Sequence, residues 1–172
     1  MLLALAAVLL GGLLVPAAGS AHAPVAGTST PRHEPRTAAS VLRELTLPQR
    51  VGQLFMVGTP AQRVDRTARA QIGRFHVGNV MLTGRSYGGV RKPARVSRAM
   101  RAEVDRASTG NVRLFVATDQ EGGLVRVLQG PGFSDIPSAL QQGRWEPRRL
   151  RRAATVWAGQ LRRAGVNLNL AP

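Results

Sequence analysis

The sequence contains no cysteine, which excludes disulfide bonds and metal sites built from thiolates. Aromatic residues make up only 4% of the 172 residues, and Lys92 is the single lysine among basic residues that are otherwise arginine. Acidic residues are few, so the formal net charge is +15. This charge is typical of proteins that bind anionic partners, but an excess of Arg, Ala, Gly and Pro from GC-rich coding also explains it. Because few aromatics lie between the arginines and no nucleic-acid motif is present, we expect no nucleic-acid partner.

The chain begins with an apolar segment, residues 1–15, that is shorter than the roughly 20 residues of a membrane-spanning helix. Pro16 follows it, and an A-x-A triplet ends at Ala23. These features predict a secretory signal peptide over residues 1–23, and hence a product that is secreted or associated with the cell envelope, without a stable membrane span. No Lys or Arg lies near Met1, which indicates either a true start further upstream or a weak signal. An uncleaved anchor is the alternative interpretation.

Residues 24–40 are rich in Pro, Ser, Thr and Ala and show no apolar period, which predicts a disordered linker. The remaining residues, 41–172, are predicted to form one globular domain. Hydrophobic residues make up 44% of the chain, a composition that suits a folded core rather than disorder.

Within this domain, short apolar runs alternate with amphipathic helical segments. The spacing of Thr46 and Gln49 predicts a capping box at the start of the first helix. The predicted strands cover residues 55–57, 79–82, 112–118 and 166–172, and the helices between them cover 64–75, 95–107 and 147–164. This alternation predicts βαβ units and a parallel sheet. Two architectures fit: an open doubly wound sheet, or part of a (β/α)8 barrel.

Two carboxylates follow the third predicted strand. In either architecture ligands bind at the carboxyl ends of strands, so Asp119 should face a cleft, where it can accept hydrogen bonds from ligand hydroxyls. Glu121 is the weaker candidate, because acids two residues apart on a turn are more often solvated or capping, although glycoside hydrolysis usually uses two carboxylates. Gly122 and Gly123 would permit unusual backbone angles or a close approach.

Other polar and aromatic side chains are predicted to have structural roles. His76 precedes the second strand, at the end of the sheet that contributes stability in barrels. Trp145 and Trp157 are interpreted as packing residues, and the arginines of 148–152 as a solvated helix face.

Four segments, in order and spacing, resemble the N-terminal barrel domain of glycoside hydrolase family 3, most closely its bacterial β-N-acetylhexosaminidase branch. They read VGQLFMVG, HVGNVMLTGR, ATDQEGGLVRVLQGPGFSDIPSA and LRRAGVNLNLAP. The resemblance spans residues 45–172 and implies an α/β fold, the first half of a (β/α)8 TIM barrel with parallel strands. It further implies retaining hydrolysis of a carbohydrate substrate, no metal and no cofactor, and contacts between Asp119 and hydroxyls of a terminal N-acetylglucosamine.

The chain departs from the family pattern in two respects. Many relatives have arginines where this chain has Leu124 and Val127, so no substrate-binding role is assigned to the intervening Arg126. In this branch the acid/base is a His, assisted by Asp, in a K-H-F-P-G-H-G-like region, and the nucleophile is an Asp on a later strand. Neither occurs in these 172 residues, so no catalytic residue is assigned, and we expect an inactive fragment.

Two alternative functions stay open at this stage. One is another family 3 specificity, such as that of β-glucosidases. The other is a basic, non-catalytic protein that binds sugars or polyanions. A half-barrel would also leave two strand edges unpaired, which predicts poor stability, and the sequence predicts no oligomeric state.

Overall fold

Four parallel strands form the centre of the domain. The computed structural model describes residues 37–171. In chain order the elements are α1 (Ala38–Glu44), α2 (Leu47–Gly52), β1 (Met56–Pro60), α3 (Arg66–Phe75), β2 (Asn79–Thr83), α4 (Arg91–Arg101), α5 (Arg106–Thr109), β3 (Phe115–Thr118), β4 (Gln120–Gly122), β5 (Val125–Arg126), α6 (Ala139–Gln142), α7 (Pro147–Arg163) and β6 (Leu168–Asn169). The predicted signal peptide, residues 1–23, lies outside the described residues, and α1 begins within the stretch predicted as linker.

The main sheet has the order β1-β2-β3-β6, and every pair in it is parallel. Met56 pairs with Asn79, which pairs with Phe115. This arrangement confirms the predicted parallel sheet and supplies half the strands of an eight-stranded barrel. A separate antiparallel pair, β4 and β5, forms directly after β3 and was not predicted.

The hydrophobic core lies on one face of the sheet. Side chains alternate between the two faces of a strand, and one face carries the buried Val80, Leu82 and Val116. Helices α3, α4 and α7 cover these residues with Ile72, Val96, Met100 and Leu161. The other face is open: Met56 and Phe115, in register through Asn79, are 38% and 55% exposed.

The predicted capping signals are present. The Thr46 hydroxyl accepts from the Gln49 amide, and the Gln49 side chain accepts from the Thr46 amide. The Gln49 side-chain amide also donates to the backbone of α5, which ties α2 to that turn. Helix α7 begins at Pro147 as predicted, and Gly165, with φ +80°, follows its end.

The prediction of one helix over residues 95–107 was wrong. Helix α4 ends at Arg101, and α5 begins at Arg106 after Asp105, whose carboxylate accepts from the Ser108 amide at 2.6 Å. An aspartate that can cap a new turn competes with continuation of the first helix. The same hydrogen bonds from Ser108 lower the pKa of the Asp105 carboxyl.

Some large apolar side chains at the ends of helices are exposed. Phe75 at the end of α3 is exposed, although Ile72 on the same helix is fully buried. Leu54 and Phe55 lie beyond α2 and are 83% and 57% exposed. Across residues 37–171, no helix is both long enough and apolar enough to cross a membrane.

Candidate functional site

Asp119 lies at the carboxyl edge of the sheet, between β3 and β4. It is half-buried, and its backbone carbonyl accepts from the Val127 amide at 3.3 Å. Within residues 37–171 the Asp119 carboxylate forms no hydrogen bond and no ion pair. The structure therefore confirms the predicted position of Asp119 at the carboxyl end of a strand, and its role in binding a ligand stays a prediction.

The residue after Asp119 is fixed by its side chain. Gln120 is 4% exposed, and its amide donates to the Leu128 carbonyl at 2.7 Å and accepts from the Leu128 N–H at 2.9 Å. A side-chain amide thus pairs with a main-chain peptide group as a neighbouring strand would. Gln120 was not predicted to have a role, although a glutamine between two carboxylates at a strand end was a usable signal.

Asn169 of β6 holds the same residue from the other side. Its Oδ1 accepts from the Gln120 N–H at 3.0 Å, and its Nδ2 donates to the Gln120 carbonyl at 3.2 Å. Asn167 repeats the pattern lower on the sheet, with the Val116 N–H at 2.6 Å and the Leu114 carbonyl at 3.0 Å. No role was predicted for either asparagine beyond the polar side of an alternating strand. Asparagine is depleted in strands, and that was the overlooked signal.

The double glycine is a steric requirement. Gly122 has φ +114°, and a Cβ there would lie 2.0 Å from the Pro137 carbonyl oxygen. Gly123, with φ +56°, donates its N–H to the Ile136 carbonyl at 2.8 Å. The expected unusual angles and close approach are thus confirmed. They seat the β4–β5 hairpin against the segment that leads to α6.

Two arginines brace this hairpin. Arg126 donates from Nε to the Gly123 carbonyl at 3.0 Å and forms an ion pair with Asp135. Arg85, in the loop after β2, donates from Nη2 to the Leu124 carbonyl at 3.2 Å. Arg126 therefore links the turn of the hairpin, at Gly123, to Asp135. The guanidinium of Arg85 reaches the same turn from the loop after β2.

Glu121 is half-buried, and its backbone carbonyl accepts from the Gln142 side chain at 2.9 Å. Its carboxylate has no hydrogen-bond partner in the part of the chain that the structure describes. Its backbone fixes the hairpin, and the absence of a catalytic role for Glu121 stays a prediction.

The other residues singled out from the sequence form contacts that do not involve Asp119. His76 takes φ +60° at the end of α3, and its Nδ1 lies 2.7 Å from the Ser108 carbonyl, which fits the predicted structural role. The rings of Trp145 and Trp157 are 6.1 Å apart, consistent with packing. Arg149 stacks over Trp145 at 4.1 Å, so this arginine is not simply solvated.

Comparisons with known proteins agree with this geometry. The family described as glycosyl hydrolase family 3 N terminal domain matches residues 46–172. The crystal structure of a β-N-acetylhexosaminidase from Beutenbergia cavernae DSM 12333 is 55% identical, with a TM-score of 0.73 over 74% of this chain and 38% of that one. A family 3 β-N-acetylglucosaminidase from Paenibacillus sp. str. FPU-7 is 33% identical, with a TM-score of 0.65 over 74% of this chain and 24% of that one. No curated protein gave a significant match.

The match covers well under half the length of both solved relatives. The matched part contains the four parallel strands and the hairpin at the carboxyl edge of the sheet. It is 55% identical in sequence to the Beutenbergia cavernae enzyme. The chain belongs to glycoside hydrolase family 3, and residues 46–172 form the first half of the (β/α)8 barrel of its N-terminal domain.

Proposed function

We propose that this chain forms the sugar-binding side of a family 3 enzyme that hydrolyses terminal β-N-acetylglucosaminides of cell-wall or chitin oligosaccharides. The observation that carries the proposal is the half-buried Asp119 carboxylate, which has no hydrogen-bond partner among residues 37–171 and lies at the carboxyl edge of the sheet. An ionised carboxylate only accepts hydrogen bonds, through both of its oxygens. Hydroxyls of a bound sugar would supply the missing donors.

The substrate class is taken from the two solved relatives. One is named a β-N-acetylhexosaminidase and the other a β-N-acetylglucosaminidase, at 55% and 33% identity. A saccharide ligand also suits the site, because a carboxylate is an acceptor-only group and sugar hydroxyls are donors.

The role of Asp119 is to hold and orient the sugar. Hydrogen bonds to an ionised carboxylate are roughly twice as strong as neutral ones. Gln120 and Asn169 fix the backbone next to Asp119, so Asp119 loses little conformational freedom when the sugar binds. The family resemblance places the acid/base His and the nucleophilic Asp outside these residues, so the 172 residues alone should not hydrolyse a glycoside.

The test is a chimera in which residues 46–172 replace the equivalent part of the Beutenbergia cavernae enzyme. We expect this chimera to hydrolyse an aryl N-acetylglucosaminide faster than the matching aryl glucoside. Asp119→Ala should lower its kcat/KM about 100-fold or more, the effect of losing one or two hydrogen bonds to a charged group. Steady-state kinetics on the two substrates measures both effects.

Glu121→Gln is the matched control, because it removes the other carboxylate of the hairpin and keeps its shape. We expect its kcat/KM to stay within about threefold of the parent chimera, a difference below about 1 kcal/mol. A loss in Glu121→Gln equal to that in Asp119→Ala would contradict the assignment. Faster hydrolysis of the glucoside would contradict the proposed substrate and would favour the β-glucosidase specificity instead.

Export is proposed on separate grounds. It rests on the apolar segment and the A-x-A triplet ending at Ala23, both in residues that the structure does not describe. In an exporting bacterial host we expect a mature protein that begins at Pro24. Mass spectrometry of the protein recovered outside the cytoplasm should give the mass of a chain that begins at Pro24. A full-length product retained in the cytoplasm would refute export.

A further inference from the structure

A cavity lies away from Asp119, near the start of β3. Its volume is about 390 Å³, and Arg101, Val104, Arg113, Leu114 and Asn167 line it. This volume is within the range of about 300–1,000 Å³ that is usual for small-molecule sites. Two walls are apolar and two are guanidinium groups, so the cavity combines an apolar surface with positive charge.

Arg101 is held in place within this cavity. It is half-buried, and its guanidinium donates to the Gly165 carbonyl. Gly165 makes this contact possible, because a Cβ there would lie 2.9 Å from an Arg101 nitrogen. One guanidinium nitrogen is used in this bond, and the group has five N–H donors. A side chain anchored in this way loses little conformational freedom when it binds a ligand.

The positive charge of the pair is not neutralised by neighbouring carboxylates. Burial, and then the charge of Arg113, lower the pKa of the Arg101 guanidinium. The two acids between α4 and α5 are engaged elsewhere: Glu103 pairs with Arg69, and Asp105 caps α5. Within residues 37–171, neither Arg101 nor Arg113 forms an ion pair.

We propose that this cavity binds a phosphate monoester of a small organic molecule, with Arg101 and Arg113 on the phosphate and Val104 against the organic group. Two unneutralised guanidiniums match a group that carries about −1.5 to −2 charges at pH 7 better than they match a single carboxylate. The planar fork of arginine suits phosphate oxygens. The cavity also has room for more than the phosphate itself.

Equilibrium dialysis of the chimera at constant ionic strength tests the proposal, with phenyl phosphate, inorganic phosphate and benzoate as probes. We expect phenyl phosphate to bind most tightly and saturably, at one molecule per chain, and benzoate to bind most weakly. Arg113→Gln should weaken phenyl phosphate at least tenfold. Arg151→Gln is the matched control on exposed α7, with the same loss of charge, and should weaken binding less than twofold.

A second measurement uses the chimera without any substitution. Phenylglyoxal labels accessible arginines, and peptide mapping by mass spectrometry locates the label. Phenyl phosphate should protect Arg101 and Arg113 while Arg151 stays reactive. Non-saturable binding, equal losses in the two variants, or protection spread evenly over the arginines would show only a general attraction of anions to an arginine-rich surface, and would overturn the proposal.

Discussion

At the scale of single residues, close backbone contacts and side-chain hydrogen bonds constrain the turn after β3. Gly122 and Gly123 take positive φ angles and lie against the segment that contains Pro137. Gln120 closes the hairpin by pairing with Leu128. The carboxylate of Asp119 is therefore presented by a backbone that is fixed on both sides, as precise recognition of a sugar requires.

Gly122→Ala should be strongly destabilising. The new Cβ would lie 2.0 Å from the Pro137 carbonyl oxygen, at a φ of +114° that alanine rarely adopts. We expect a loss of about 3 kcal/mol or more in the free energy of unfolding, from strain and backbone displacement together. Urea denaturation of the chimera measures it.

Gly143→Ala serves as the control for that substitution. Gly143 has a right-handed helical backbone at the end of α6, and a Cβ added there would have its nearest neighbouring atom 3.5 Å away. Its effect should be within about 0.5 kcal/mol, as for most unstrained surface changes. Similar midpoints for the two variants would mean that the close contact at Gly122 does not constrain the hairpin.

At the scale of elements, the sequence predicted the main sheet better than the connections. Apolar runs and capping residues located all four parallel strands and the start of α7, because those signals are local. The β4–β5 hairpin was missed because its pairing depends on a buried Gln120 side chain. The break between α4 and α5 was missed because Asp105 lies on an otherwise continuous helical pattern.

The shortest strand of the sheet, β6, is docked by asparagine side chains rather than by a long ladder. Asn167→Ala and Asn169→Ala each remove two hydrogen bonds to β3 and the residues that flank it. Both should lower the stability of the chimera by about 2–3 kcal/mol, because peptide groups lose their partners. Of the two, Asn169 is the one that holds Gln120, so Asn169→Ala alone should also raise KM, by about tenfold, for the N-acetylglucosaminide.

The informative comparison is that both variants should lose stability, whereas Asn169→Ala alone should raise KM. Asn167 lies further down the strand from Asp119, so it reports the cost of loosening β6 alone. If both variants raised KM equally, Asn169 would act only through the general stability of the sheet.

At the scale of the whole molecule, one side of the domain exposes large apolar side chains. Phe115 on the open sheet face and Leu54 beside β1 are largely exposed. A further apolar groove of about 640 Å³ runs beside α2 and α3, lined in part by Val51, Phe55 and Phe75. Exposed apolar patches of this kind mark surfaces that other polypeptide covers.

A polypeptide of these 172 residues should therefore self-associate and bind hydrophobic dyes, and should show no glycosidase activity. The chimera should neither self-associate nor bind the dye, because we expect the rest of the relative's barrel to cover the same surface. Sedimentation velocity together with dye fluorescence compares the two. A monomeric 172-residue protein with a sharp, cooperative melt would show that the open face needs no cover.

The central claim is that Asp119 contacts hydroxyls of the sugar, and the most direct measurement is a cycle between Asp119 and the substrate. The kcat/KM of the chimera and of its Asp119→Ala variant would be compared on the parent N-acetylglucosaminide and on analogues that each lack one hydroxyl. We expect at least one missing hydroxyl to lower kcat/KM about tenfold or more in the parent chimera and almost not at all in Asp119→Ala, because both changes remove the same hydrogen bond. Equal losses in both proteins for every analogue would contradict it.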